Sequence, residues 1–313
     1  MLATKIRDAF TPCSLGAWPT PLDAQPALAR ALGLRALWLK REDRAGGNKV
    51  RGLEFLFAGA PAGAVFVTIG GEGSSHCLAT ATHARSRGYR TALALFPQPE
   101  TEASRAIKAA TRAVANVIVG ASSLLTLPWA ALRAWRAARQ LGRGAAHWIP
   151  GGGAEPRAVM GHFLATLELA AQIDAPPDAI VVPLGTGGTA AGIALGVAWL
   201  GWVGSTEVIA VRVAPSVVAN RWRTLRLARR AAAALRRAGL EFNVPRSAIR
   251  VRVEDAMGKG YGHPSAEGAR ATAVAAEHGV RLDPTYGAKA FAWMMQPTRH
   301  APRTVFWHTF AWP

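Results

Sequence analysis

Acidic residues and lysine are scarce in this chain. It carries 19 Asp and Glu against 37 Lys and Arg, a formal net charge of +18. Only six of the basic residues are lysines (Lys5, Lys40, Lys49, Lys108, Lys259 and Lys289), so arginine supplies most of the excess. Such a charge raises nucleic acid, an anionic membrane or an acidic small molecule as partners. Cysteine is nearly absent, and Cys13 with Cys77 cannot build a disulfide framework or a multi-cysteine zinc site. The eight histidines contain no H-x-x-x-H pair, so no metal site is expected. Residues 1–10 lack an apolar signal core, which makes a cytoplasmic location the expectation. Two uncharged stretches, 113–132 and 185–204, are broken by polar residues or a glycine cluster. They read as buried strands joined to loops or helices rather than bilayer spans.

Apolar residues and glycine are plentiful. With 313 residues, 50% of them hydrophobic, and 32 glycines, the chain can bury a large core, which excludes disorder as its overall state. Short runs rich in Val, Ile and aromatics predict strands at 36–40, 64–69, 91–96, 116–119, 146–149, 179–183, 207–213, 249–253 and 304–308. Helical periodicity falls between them at 49–60, 74–87, 102–112, 125–141, 156–172, 189–200, 217–238, 264–278 and 288–295. This alternation predicts an α/β protein with parallel, doubly wound sheets, whose ligands bind at the carboxyl ends of the strands.

Two segments carry chemistry. Ile180-Val181-Val182-Pro183-Leu184 runs into Gly185-Thr186-Gly187-Gly188-Thr189 and then an Ala/Leu helix. A strand, glycine loop and helix aim free N–H groups at an anion, with Thr186 and Thr189 as further donors. The spacing fits neither a dinucleotide fingerprint nor a Walker loop, so one phosphate is the better match, with an ordinary tight turn as the alternative. Lys49 follows Gly46-Gly47-Asn48 at the start of a helix, where the dipole lowers its pKa and makes the amine a better nucleophile toward a carbonyl. The alternative is a solvated surface lysine.

Lys40-Arg41-Glu42-Asp43, Gly47-Asn48-Lys49-Val50-Arg51 and Leu53-Glu54-Phe55 resemble the signature of a family of pyridoxal-phosphate enzymes. That family includes D-cysteine desulfhydrase and 1-aminocyclopropane-1-carboxylate deaminase. The stretches 68–76, 149–161, 185–189 and 283–290 follow in family order. The resemblance implies the fold-type II architecture of tryptophan synthase β-like enzymes, usually homodimeric. Residues 1–51 and 155–313 would form a large cofactor domain, and 52–154 a small inserted one. It implies pyridoxal 5′-phosphate as cofactor and a small amino acid as substrate. Lys49 is then the Schiff-base lysine, Asn48 a neighbour of the ring hydroxyl and Gly185 to Thr189 (Gly185, Thr186, Gly187, Gly188, Thr189) the phosphate cup. Ser74 would meet the substrate carboxylate or move a proton, with a plain helix cap as the alternative. Ser75 and His76 complete the expected substrate contacts, and Tyr261 and Tyr286 match two active-site tyrosines able to act as acid or base.

Three departures bear on the reaction. The family's Ser-Asn-His or Ser-Asn-Gln is Ser74-Ser75-His76 here, so an amide is lost. Gly287 stands where the deaminases place a glutamate against the pyridine nitrogen. Thr309 is retained and could meet that nitrogen, but Phe310-Ala311-Trp312-Pro313 replaces the glycine pair and tail of the desulfhydrases. Gly287 with Thr309 favours α,β-elimination from D-cysteine or another D-amino acid bearing a β leaving group, giving a keto acid and ammonia. Ring-opening deamination, racemisation and β-replacement are the alternatives, and a catalytically decayed basic binding protein is the alternative of another class. The arginines of 221–237 and the series Arg133, Arg136, Arg139 and Arg143 read as solvated helix faces, with Trp222 and Leu225 turned inward. Nucleic acid and membrane are set aside on that basis.

Overall fold

The computed structural model describes residues 2–142, 145–299 and 301–311. Arg143 and the Trp312-Pro313 ending lie outside the described residues. The first half forms α1 (Leu2–Phe10), β1 (Leu22–Ala24), α2 (Pro26–Ala31), β2 (Ala36–Arg41), α3 (Lys49–Leu56), β3 (Val65–Gly71), α4 (Ser75–Ser86), β4 (Arg90–Phe96), α5 (Glu102–Val114), β5 (Val117–Gly120), α6 (Leu127–Leu141) and β6 (Ala146–Trp148). The second forms α7 (Pro156–Gln172), β7 (Ala179–Leu184), α8 (Gly188–Trp199), β8 (Glu207–Arg212), α9 (Arg221–Arg237), β9 (Arg252–Asp255), α10 (Ala266–Glu277), α11 (Gly287–Met294) and β10 (Arg303–His308).

These strands make two sheets, one ordered β1-β2-β10-β7-β8-β9 and the other β5-β4-β3-β6. In β7, Ile180, Val182 and Leu184 join a core with α7, α8 and α9, while Ala179 and Val181 join one with α10 and α11. β10 splits likewise, with Val305 and Trp307 against Phe306. A strand buried on both faces needs the continuous apolar run seen in 179–184. In the smaller sheet, Ala92 and Ala94 of β4 pack with Ala130, Ala134 and Ala138 of α6. Leu93 and Leu95 turn to Cys77 and Ala81 of α4. Both sheets are thus doubly wound, as the alternation predicts.

The structure corrects three details. The larger sheet is mixed rather than wholly parallel, because β1 pairs antiparallel with β2, Leu22 opposite Lys40. The strand expected at 249–253 is displaced to Arg252–Asp255, since Ile249 and Val251 are drawn into the core ahead of the ladder. Trp222 is 64% exposed and lies over the Arg226 guanidinium instead of facing inward. The seven arginines of 221–237 do lie exposed, around buried Leu225, Leu227 and Ala228. Neither uncharged stretch is a span: among the described residues no helix is long and apolar enough to cross a membrane.

Adjacent strands β2, β10 and β7 end side by side. Their carboxyl ends deliver the Lys49 segment, Thr309 and the glycine loop to one place.

Candidate active site

After β2 the chain makes a single turn over Glu42–Ala45 and passes through Gly46 and Gly47, both at positive φ, before α3 starts at Lys49. A Cβ on Gly47 would come within 2.9 Å of the Phe310 ring, so this crossing requires glycine. Phe310, where the desulfhydrases have glycine, therefore packs over the entry to α3. The Asn48 N–H donates to the Thr309 carbonyl at 2.8 Å, and its side-chain amide donates to Thr189 Oγ1 at 2.7 Å. Asn48, Lys49, Thr189 and Thr309 are thus brought together from three strand ends. Burial pushes the Lys49 pKa down to about 8, and its Nζ donates to the Gly152 carbonyl at 3.2 Å.

The glycine loop follows β7, with Gly187 at φ +93° as the cap of α8. A Cβ on Gly152 would overlap Thr186 Oγ1, which is buried without a hydrogen-bond partner. Tyr286 approaches the same loop, its Cε1 3.3 Å from where a Cβ on Gly185 would lie.

The tyrosines meet each other. Tyr261 and Tyr286 share a hydroxyl–hydroxyl hydrogen bond of 2.7 Å. Burial pushes the Tyr261 pKa up to about 12 and raises that of Tyr286 well above its ordinary value, so both phenols stay protonated at neutral pH. Asp283 fixes Tyr286 by accepting the N–H groups of Thr285, Tyr286 and Gly287. A Cβ on Gly287 would lie 2.9 Å from Asp283 Oδ2, so the turn has no ready room for the deaminases' glutamate.

Ser74 caps α4, accepting the Cys77 N–H at 3.3 Å, and the cap keeps its hydroxyl beside the end of β3. Ser75 and His76 diverge. Ser75 lines a cleft with Gly73, Ser104, Thr285, Tyr286 and Phe310, whereas His76 turns toward Lys49, Gly153 and His162. His76 Nε2 lies 3.0 Å from Thr68 Oγ1 while Nδ1 is unpartnered. Burial, reinforced by the Lys49 charge, pushes its pKa down to about 3, so it is neutral.

Sequence reasoning missed several groups. His162, buried with Nδ1 unpartnered, shares the Lys49 pocket, and burial again lowers its pKa. Gln98, just past β4, has a buried Oε1 without a partner. His308 Nδ1 sits 3.2 Å from Asp43. Burial opposes ionisation of Asp43, but His308 and Arg41 outweigh it and hold the carboxyl below the usual carboxylate range. Within α3, Arg51 is 2% exposed and donates to Glu42 at 2.5 and 2.9 Å and to Glu168 at 2.7 and 2.9 Å. Lys40 joins through Thr20, Gln172 and Glu168. Lys40, Glu42 and Arg51 sit in the motif segments, but Glu168 and Gln172 lie more than a hundred residues from Lys40 and Arg51, so no local motif marks their pairing.

A lysine amine of lowered pKa at a helix start, a glycine cup with an orphaned hydroxyl and a buried phenol pair against that cup define a site for a phosphorylated carbonyl cofactor. The chain belongs to the pyridoxal-phosphate dependent enzyme family, whose model matches residues 13–309. It is 36% identical to nocardicin C-9′ epimerase of Nocardia uniformis subsp. tsuyamanensis, over 94% of this chain and 93% of that protein. It superposes on an ACC deaminase homologue with a TM-score of 0.80 at 27% identity, covering 98% of this chain and 94% of the other. Maize serine racemase shares the fold, with a TM-score of 0.64 at 17% identity, over 99% and 93% of the two chains. The protein is therefore a fold-type II pyridoxal-phosphate enzyme, and its residues fit the cofactor: the unpartnered Thr186 Oγ1 and the glycine cradle suit a phosphate, and Lys49 suits an aldehyde. A basic binding protein on a decayed fold is not what these comparisons support.

Proposed function

We propose that the enzyme removes and returns the proton at the Cα of an amino-acid group, inverting that centre as an epimerase or racemase. The observation that carries this is the pairing of two proton carriers of opposite character. Lys49, with its pKa near 8, is a base, and the Tyr261–Tyr286 pair, held protonated by burial, is an acid. They reach the glycine loop from different elements, Lys49 through Gly152 and Thr186, Tyr286 through Gly185. The 36% identity to an epimerase over nearly the whole chain supports the same reading.

Bound pyridoxal phosphate supplies an electron sink that acidifies the substrate Cα. The chain's residues do the rest. Lys49 carries the cofactor and takes the Cα proton, and Tyr286, backed by Tyr261, donates the replacement. Gly185 to Thr189 hold the phosphate through N–H groups and hydroxyls. Asn48 would serve the ring hydroxyl and Thr309 the pyridine nitrogen. Ser74 and the start of α4 take the carboxylate, with Ser75 and His76 on its two sides. The division at residues 51/52 and 154/155, a homodimer and a cytoplasmic location belong to the same reading.

A second reading is α,β-elimination from D-cysteine or a similar D-amino acid. Its support is Gly287 with a buried Thr309, the desulfhydrase pattern at the pyridine nitrogen. One experiment separates them. The cofactor-loaded protein is incubated in D2O with D- and L-amino acids, scoring Cα deuterium, the opposite enantiomer and keto acid. Deuterated, inverted amino acid without keto acid supports epimerisation. Keto acid and ammonia without inversion refute it in favour of elimination.

A further inference from the structure

We propose that Gln98 supplies the amide that position 75 lacks, and thereby determines how the site holds the substrate α-carboxylate. This rests on the amino-acid reading above. Gln98 lies just beyond β4, at the carboxyl end of the smaller sheet, between Pro97 and Pro99. Two flanking prolines narrow the backbone choices open to this loop and so hold the side chain in place.

The amide sits in a socket made by glycines. A Cβ on Gly71 would overlap Gln98 Oε1, and one on Gly73 would come within 2.6 Å of Nε2. Gly73 immediately precedes Ser74 and Gly71 lies three residues before it, so the amide lies against the turn that opens α4. From the other direction, a Cβ on Gly262 would lie 3.6 Å from Nε2 and 3.4 Å from Pro99 Cδ. Gly262 adjoins Tyr261, whose ring is 6.2 Å from that of Phe96. Gln98 thus spans the short distance between the α4 start and the tyrosine pair, where an amino-acid substrate must lie if Ser74 meets its carboxylate and Tyr286 its Cα.

Oε1 is buried without a partner. A buried amide atom with no protein partner is unusual and calls for an explanation, which a bound group would supply. Oxygen and nitrogen of a carboxamide exchange places by a 180° turn, which would present N–H donors at the buried position. A carboxylate at the α4 start would accept one of them in a charge-assisted bond.

The test is a binding titration. The cofactor-loaded protein is titrated with the amino acid that most changes its visible absorbance, and with the carboxamide of that amino acid. Gln98→Leu is expected to weaken binding of the free acid ~10-fold or more, the range of a hydrogen bond to a charged group, while the carboxamide binds as to wild type. Gln98→Glu, which keeps the shape, is expected to repel the acid and spare the carboxamide. Adding Ser75→Asn to Gln98→Leu is expected to recover binding of the acid. Equal losses for acid and carboxamide, no loss at all, or no recovery with Ser75→Asn overturns the proposal. A wild type that responds to no amino acid overturns the amino-acid reading itself, and this inference with it.

Discussion

Replacing Arg51 with methionine removes the centre of the ion network under Lys49 while keeping most of the side-chain volume. Arg51 is 2% exposed and Glu42 is fully buried, and the guanidinium makes four bonds to the carboxylates of Glu42 and Glu168 and a fifth to Thr20. It also lies 3.9 Å from the centroid of the Trp18 ring. In the variant Lys40, 3.4 Å from Glu168, is the remaining cation among the described partners, so the buried Glu42 carboxylate and the half-buried Glu168 carboxylate are left undercompensated. Breaking a buried pair from one side costs about 3–5 kcal/mol. For a chain of 313 residues that corresponds to a fall in Tm of ~5–8 °C. The sign with pH follows from Glu168. Burial raises its pKa, but the Arg51 hydrogen bond and charge outweigh burial and lower it. In the wild type this stabilisation is present above the ordinary carboxylate range and is lost as pH falls through the lowered pKa. The variant never has it, so the stability gap between the two proteins narrows as pH falls from 7 toward 4. Urea denaturation followed by circular dichroism at both pH values measures the gap. A loss below ~1 kcal/mol at pH 7, or an equal gap at both pH values, refutes the reasoning.

Two further outcomes follow from the site. Tyr286→Phe is expected to slow inversion ~10²–10⁴-fold, the usual contribution of a positioned acid, while Lys49 still exchanges the Cα proton of one enantiomer for deuterium. Chiral chromatography and proton NMR on the same sample check it, and equal loss of exchange and inversion contradicts it. Because burial lowers the Lys49 pKa to about 8, the rate at which cofactor-free protein takes up pyridoxal phosphate is expected to rise with pH around a midpoint near 8, as the amine loses its proton. Rapid-mixing absorbance measures that rate, and a midpoint near the ordinary lysine value would contradict it.

The sequence was most legible where burial demanded a continuous pattern. The apolar run 179–184 reads as a strand because both its faces are covered, and the glycine loop after it reads as an anion cup because a strand, glycines and a helix start leave N–H groups free there. β1 was illegible because three residues, Leu-Asp-Ala, carry no periodicity and pair only by proximity to β2. Trp222 misled because hydrophobicity alone does not reveal that a ring can lie over an arginine on the surface. The site divides in the same way. Lys49, Asn48 and the tyrosines sit in motifs, whereas the partners that fix them are assembled by topology. Asp283 does lie in the Tyr286 motif, but the pairing of His308 with Asp43 spans the chain, and a glutamine between two prolines reads as an ordinary loop. The +18 charge stays on the solvent-facing arginines, and nothing in the site's geometry explains it.

Covalent mapping of the cofactor tests the central claim most directly. The protein is loaded with pyridoxal phosphate, reduced with borohydride to fix any lysine linkage, digested, and its peptides are weighed. The account predicts one modification, on Lys49, and no visible absorption band in Lys49→Ala. A modification on another of the six lysines, or a Lys49→Ala protein that retains the band, would contradict it.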